Sequence, residues 1–173
     1  VLSNNTFQNK EFKDNLQRYE AALNTGKPVY LDPDELTDIA EYYHLHGQLN
    51  KALAAIDQAI LMFPGATQPL AFRARVAILL EDNVQTALQY AEQIEDKADL
   101  DYFYIMAEIM IASGNDEQAN RYLKEKSTEI NNDDIDDFYL DVAVLFADYD
   151  NMTLAKHWLS LVTDTHSDDY HEL

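Results

Sequence analysis

Residues 46–64 read HGQLNKALAAIDQAILMFP: a sharp turn at Gly47, a helical run, and a proline that stops it. Ala52 follows the turn by five residues, and Pro64 lies twelve beyond Ala52. The same layout returns at Asp82–Ala87, Gly114–Ala119 and Asp150–Ala155, with the alanines 35, 32 and 36 residues apart. An apolar helix precedes each turn: DELTDIAEYYHL, PLAFRARVAILL, LDYFYIMAEIMIAS and DDFYLDVAVLFADY. Two helices per unit at a period near 34 residues is the pattern of a helix–turn–helix solenoid.

Small residues have a physical reason to recur in such a chain. Antiparallel helices joined by a very short turn must approach closely, and a large side chain at the crossing would hold them apart. Ala40, Ala107 and Ala143 supply the small residue on the first helix of their pairs, and Ala52, Ala87, Ala119 and Ala155 on the second. Gly47, Asn83, Gly114 and Asn151 are the expected turn residues at positive φ.

The N-terminal part reads as one further helix. Phe12, Leu16, Tyr19 and Leu23 recur at spacings of 4, 3 and 4, one helical face, and the TGKP that follows offers Gly26 as a left-handed cap. The next helix opens at LDPDEL, where Asp32 is an N-cap, Pro33 fits the first helical position and Glu35 closes a capping box. Leu31 and Leu36 are spaced for a hydrophobic staple across that start.

Composition narrows the function. With 47% hydrophobic residues among 173, the chain can build one array of repeats, and no apolar run approaches the roughly 18 residues of a membrane span. The absence of cysteine removes disulfides and thiolate metal sites and fits a reducing, cytoplasmic setting. The chain begins at Val1 rather than Met, so a signal removed upstream would leave no trace. The formal charge of −20 is lopsided: residues 1–66 hold 5 basic against 9 acidic side chains, and residues 67–173 hold 7 against 23. A field of that sign repels phosphate backbones and anionic membrane surfaces; a well-solvated surface is the plain reading of it, and a basic protein the partner that would be its alternative use.

Motifs for catalysis or metal binding are not found. His44 and His46 stand two apart and do not share a helical face. His166 and His171 lie in the acidic tail DTHSDDYHEL, read as a frayed terminus. NNDDIDDFYLD lacks the glycine and the final glutamate of a calcium loop, and DYDNMTLAKHW fails at Thr153. The former is read as carboxylate capping of a helix start. Neither a phosphate loop nor a nucleophile elbow occurs, so a non-enzyme without cofactor or metal is expected.

Ala40, Tyr43, Gly47, Ala52, Ala59 and Pro64 together give residues 33–66 the pattern of a tetratricopeptide repeat, and the chain resembles that family over about residues 33–167. The later units depart from it: none has the proline, Arg75 stands where a small residue is expected, and Lys126 and Val162 where alanine is preferred. The resemblance implies an all-α, right-handed alpha-alpha superhelix of about four helix pairs, at approximately 33–66, 68–99, 100–133 and 136–167. It follows an N-terminal helix and linker over 1–31 and precedes an acidic tail at 168–173.

The resemblance further implies a concave groove lined by first helices, and so non-catalytic binding of a protein or peptide. Carried over unit by unit, the groove residues are Thr37, Glu41 and His44; Phe72, Val76 and Leu79; Tyr104, Glu108 and Ile111; and Leu140, Val144 and Ala147. Three of these four stripes are largely apolar, and as an exposed surface they would mark a binding site. The carboxylate-clamp branch of the family is disfavoured, because Thr37, Asp38, Phe72, Arg73, Tyr104, Ile105, Leu140 and Asp141 hold a single arginine at the matching positions. Self-association into a homo-oligomer through the same stripe is the alternative. The absence of a polar capping helix after the last pair is what a piece of a longer array would show.

Overall fold

A computed structural model describes residues 6–163, whose regular elements are all helices, with no strand among the described residues. The expected acidic tail, with His166 and His171, lies outside the described residues. The chain divides between Lys97 and Ala98 into two compact units.

The first unit holds α1 (Lys10–Thr25), α2 (Pro33–Leu45), α3 (Leu49–Met62), α4 (Thr67–Leu79) and α5 (Val84–Glu92). Both of its N-terminal boundaries follow local chemistry. Gly26 closes α1 at φ 66°, its N–H donating to the Ala22 carbonyl. At the start of α2 the Glu35 N–H donates to Asp32 Oδ1 and the Asp32 N–H to Glu35 Oε2, each at 2.8 Å, with Pro33 in the first turn. One core joins Phe12 and Tyr19 of α1, Leu36, Ile39 and Tyr43 of α2, and Ile56 of α3 to Phe72 and Val76 of α4. Leu31 and Leu36 are both buried in it. Leu23 departs from the expected α1 stripe: it is exposed, and Asn15 is buried instead, donating to Glu35 Oε1 at 2.8 Å.

The second unit holds α6 (Leu100–Ala112), α7 (Asp116–Lys126), α8 (Ile135–Asp148) and α9 (Met152–Leu159). Its core gathers Phe103, Leu123, Phe138, Val142, Phe146 and Trp158. Lys126, at a position where alanine was expected, lays its ammonium 4.7 Å from the Phe103 ring centroid and bonds Glu129. The expected carboxylate cap at the start of α8 is not formed: Asp134 holds the cap position without a side-chain bond. Asp136 instead accepts from the Thr163 N–H and hydroxyl, tying the chain after α9 back to α8. Among the described residues no helix is long and apolar enough to cross a membrane.

The four pairs α2–α3, α4–α5, α6–α7 and α8–α9 share one turn design with one variation. Gln48, Asn115 and Asn151 each donate their N–H to the carbonyl five residues back, at 2.8, 3.0 and 2.9 Å. In the α4–α5 turn Asn83 reaches six back, to Ala77, at 2.9 Å. Two expectations are corrected here, and only the first follows from that extra residue. Ala74, fully buried, takes the crossing position expected at Arg75, which is half-buried. The positive φ expected at Asn83 and Asn151 belongs to Asp82 (48°) and Asp150 (59°). Asn83 and Asn151 are the N-caps of the following helices, their carboxamides accepting from the Thr86 and Leu154 N–H groups. A residue cannot hold the negative φ of these caps and the positive φ of the left-handed turn at once, so the two tasks fall to neighbours.

Candidate partner-binding surface

The twelve groove positions do not form an open stripe. Thr37 is buried and its hydroxyl donates to the Pro33 carbonyl at 2.8 Å. Glu41 is half-buried, and His44 is exposed with its ring edge-on to Phe72 at 6.1 Å. Phe72 and Val76 are buried where α4 packs on α2, in the core of the first unit. Leu79, at the end of α4, is 60% exposed.

The second unit repeats this outcome. Tyr104 is half-buried between α6 and α8, stacked on Phe138 at 5.8 Å and donating its hydroxyl to Asp141 Oδ2 at 2.9 Å. Burial first, then the Asp141 carboxylate, push that phenol well above its ordinary pKa. Glu108, Ile111 and Leu140 are buried, Ala147 is half-buried, and Val144 is 38% exposed. The expectation of a continuous exposed apolar stripe is therefore corrected. Within each unit the first helices of successive pairs lie close enough that their facing side chains become core. What stays open is His44 and Leu79 in one unit and Val144 in the other.

Histidines 44 and 46 also part company. His46 Nδ1 lies 2.7 Å from the Tyr42 carbonyl, with its ring 4.2 Å from that of Tyr42, while His44 turns toward Phe72.

Apolar exposure occurs elsewhere, at places the stripe did not mark. Leu61 is 82% exposed and Met62 42%. The signal was present in the periodicity: α3 buries Ala52, Ala55, Ile56 and Ala59, and position 61 falls on the opposite side of that face. Leu45 and Leu80, at the ends of α2 and α4, are exposed as well.

An acidic concavity of the first unit lies between the beginnings of α1 and α2. It is a cleft of about 190 Å³ whose wall includes five carboxylates: Glu11 from α1, and Asp32, Asp34, Glu35 and Asp38 from α2 and its cap. Asn9, Phe12 and Asn15 complete the wall. Burial, reinforced by the negative charges of Glu41, Asp34, Asp32 and Glu35, pushes the Asp38 carboxyl up to about 6.

No protein-family model, no curated protein and no solved structure matches this chain.

Proposed function

We propose that the chain is a non-catalytic scaffold of the tetratricopeptide type, its helix pairs stacking into a right-handed superhelix that binds a protein or peptide. The observation that carries this reading is the repeated crossing. Each helix of the four pairs has one buried alanine at the corresponding place: Ala40 and Ala52, Ala74 and Ala87, Ala107 and Ala119, Ala143 and Ala155. A chain that conserves the spacing of its helices over four units while varying nearly everything else invests its sequence in a scaffold surface, the use to which solenoids are put. Among the groove positions the burden falls on the open ones, His44 and Leu79 in the first unit and Val144 in the second, with Glu41 beside them at partial exposure. The charge of −20 favours a partner with a basic segment.

The test is affinity capture from the native lysate, followed by calorimetric titration of each captured protein against the parent and the His44→Ala, Leu79→Ala and Val144→Ala variants. The reading expects at least one variant to weaken binding about tenfold or more, the scale of a single interface hot spot, without a change in thermal midpoint. It also expects affinity to fall with added salt, because exposed charges are screened beyond about 10 Å at 0.1 M. If all three variants bind as the parent does, the groove is not the site.

A further inference from the structure

Phe7 reaches the core of the first unit from outside its α-helices. It belongs to a short 3₁₀ turn, Thr6–Gln8, set off from α1 by Asn9. Asn9 is extended, at φ −60° and ψ 141°, and its side chain accepts from the Glu11 N–H at 2.9 Å. That bond caps α1, so the start of the helix does not depend on the turn before it. Phe7 is nonetheless buried, at 7% exposure.

Its ring enters a seat built by two helices. The Phe12 ring of α1 lies 5.0 Å away at 67° and the Tyr42 ring of α2 5.8 Å away at 63°, both edge-on to Phe7. Phe12 and Tyr42 lie 5.4 Å from each other, and the ring of the exposed His46 is 4.2 Å from that of Tyr42. These walls are held without Phe7. Asn15 donates to Glu35 Oε1 at 2.8 Å and the Tyr43 hydroxyl to Glu20 Oε1 at 3.1 Å, each bond joining α1 to α2. Beside the seat Lys13 donates to Gln8 Oε1 at 3.1 Å, so the residue after the inserted ring is met as an acceptor.

We propose that this seat is a binding site for an aromatic side chain carried on a peptide, and that the chain's own Phe7 occupies it in cis. The occupant hangs on a three-residue turn joined through one extended residue, whereas the walls belong to two cross-tied helices. The edge-on contacts are a geometry set by the ring quadrupole, which an aliphatic side chain does not reproduce. Lys13 adds direction, because it bonds the neighbour of the ring. The ligand class is therefore a segment with phenylalanine followed by a hydrogen-bond acceptor. A short tether gives Phe7 an effective concentration on the order of millimolar. An outside segment must displace it, which makes the site self-inhibited. The seat lies between α1 and α2, whereas His44 of the groove turns toward Phe72 of α4, so this inference stands apart from the groove reading.

Phe7→Ala in the full chain vacates the seat while leaving the Asn9 cap and both cross-ties in place. The probe is acetyl-Thr-Phe-Gln-Asn-amide, a copy of residues 6–9, titrated into parent and variant while the Tyr42 and His46 ring signals are followed by NMR. Saturable shifts of those rings are expected in Phe7→Ala, with an affinity at least about fivefold above the parent's, since only the vacant fraction of the parent's seats can bind. The same peptide with Leu in place of Phe should bind severalfold more weakly, and with Ala should not bind. If loss of Phe7 loosens α1, the Phe peptide should restore hydrogen-exchange protection to its amides. Equal binding of the three peptides, equal binding to parent and variant, or a Phe peptide that neither shifts the rings nor restores α1 would each overturn the proposal. So would parent dimers in sedimentation that disappear in Phe7→Ala, because Phe7 would then be passing between copies.

Discussion

Trp158 donates its indole N–H to Asn120 Oδ1 at 3.0 Å, and both side chains are buried. The bond ties α9 to α7 in the core of the second unit, so the only polar atom of the largest side chain there is satisfied from a neighbouring pair. Replacing Asn120 by Ala would leave a buried donor unmatched, which costs about 1–3 kcal/mol. Urea denaturation of Asn120→Ala should show that loss. Trp158→Phe in the Asn120→Ala background should cost less than Trp158→Phe alone, since the donor is then already orphaned.

The alanine crossings predict overpacking. Ala52→Leu and Ala119→Leu should each destabilise by about 1–3 kcal/mol, since a larger side chain would force apart two helices closed by a short turn. Ala74→Leu should behave the same way, because Ala74 is the fully buried residue of α4 at the crossing. A thermal midpoint of Ala74→Leu within error of the parent would show that the α4–α5 register is misread.

Phe72 separates packing from binding. Buried where α4 meets α2, it is expected on truncation to Ala to lose about 3–5 kcal/mol. His44→Ala and Leu79→Ala, at exposed positions, should stay within about 0.5 kcal/mol. Equilibrium unfolding of the three side by side checks this, and an unperturbed Phe72→Ala would return that ring to the surface.

Gly65 and Gly47 both sit at positive φ, 84° and 70°, yet they should respond differently to alanine. A Cβ at Gly47 meets nothing within 4 Å, so Gly47→Ala should cost about 1–2 kcal/mol of left-handed backbone strain. A Cβ at Gly65 would run into the Glu95 side chain, whose own N–H donates to the Gly65 carbonyl at 3.0 Å. Gly65→Ala is therefore expected to be the more costly, and adding Glu95→Ala should remove the excess. Chemical denaturation of the two single variants and the double variant decides it.

How far the sequence could be read depended on how local each signal was. Asp32, Pro33, Glu35 and Gly26 fix their helix ends through bonds spanning three or four residues, and all four stand where the sequence placed them. Ala74 was missed because a turn with one extra residue carries no local mark: Asp-Asn occurs at both 82–83 and 150–151, yet the backbone bond spans six residues at one and five at the other. Asp82 and Asp150 were missed because each Asp-Asn pair offers two residues able to take positive φ, and the asparagine is claimed by the cap of the next helix. The groove was harder still. Helical spacing shows that Phe72, Val76 and Leu79 share a face, but whether that face meets water depends on how closely α2 approaches α4. That distance is set by side chains more than thirty residues away in sequence, such as Thr37 and Ile39. The Asp38 cleft combines both cases, since its carboxylates are plain in DPDELTD while the facing Glu11 arrives only when α1 folds back.

The bends between paired helices bear on the order of events as the chain folds. Gln48 and Tyr43 bond across a handful of residues, so pairing α2 with α3 closes a very small loop and gives up little chain entropy. Topologies dominated by such near-neighbour contacts cross low barriers and fold quickly. Each hairpin is thus expected to act as a seed, with its bend formed early and α1 added last. In stopped-flow experiments Gly47→Ala should then slow refolding more than it speeds unfolding. Truncations in α1 such as Tyr19→Ala should do the reverse, leaving the refolding rate nearly untouched and accelerating escape from the native state.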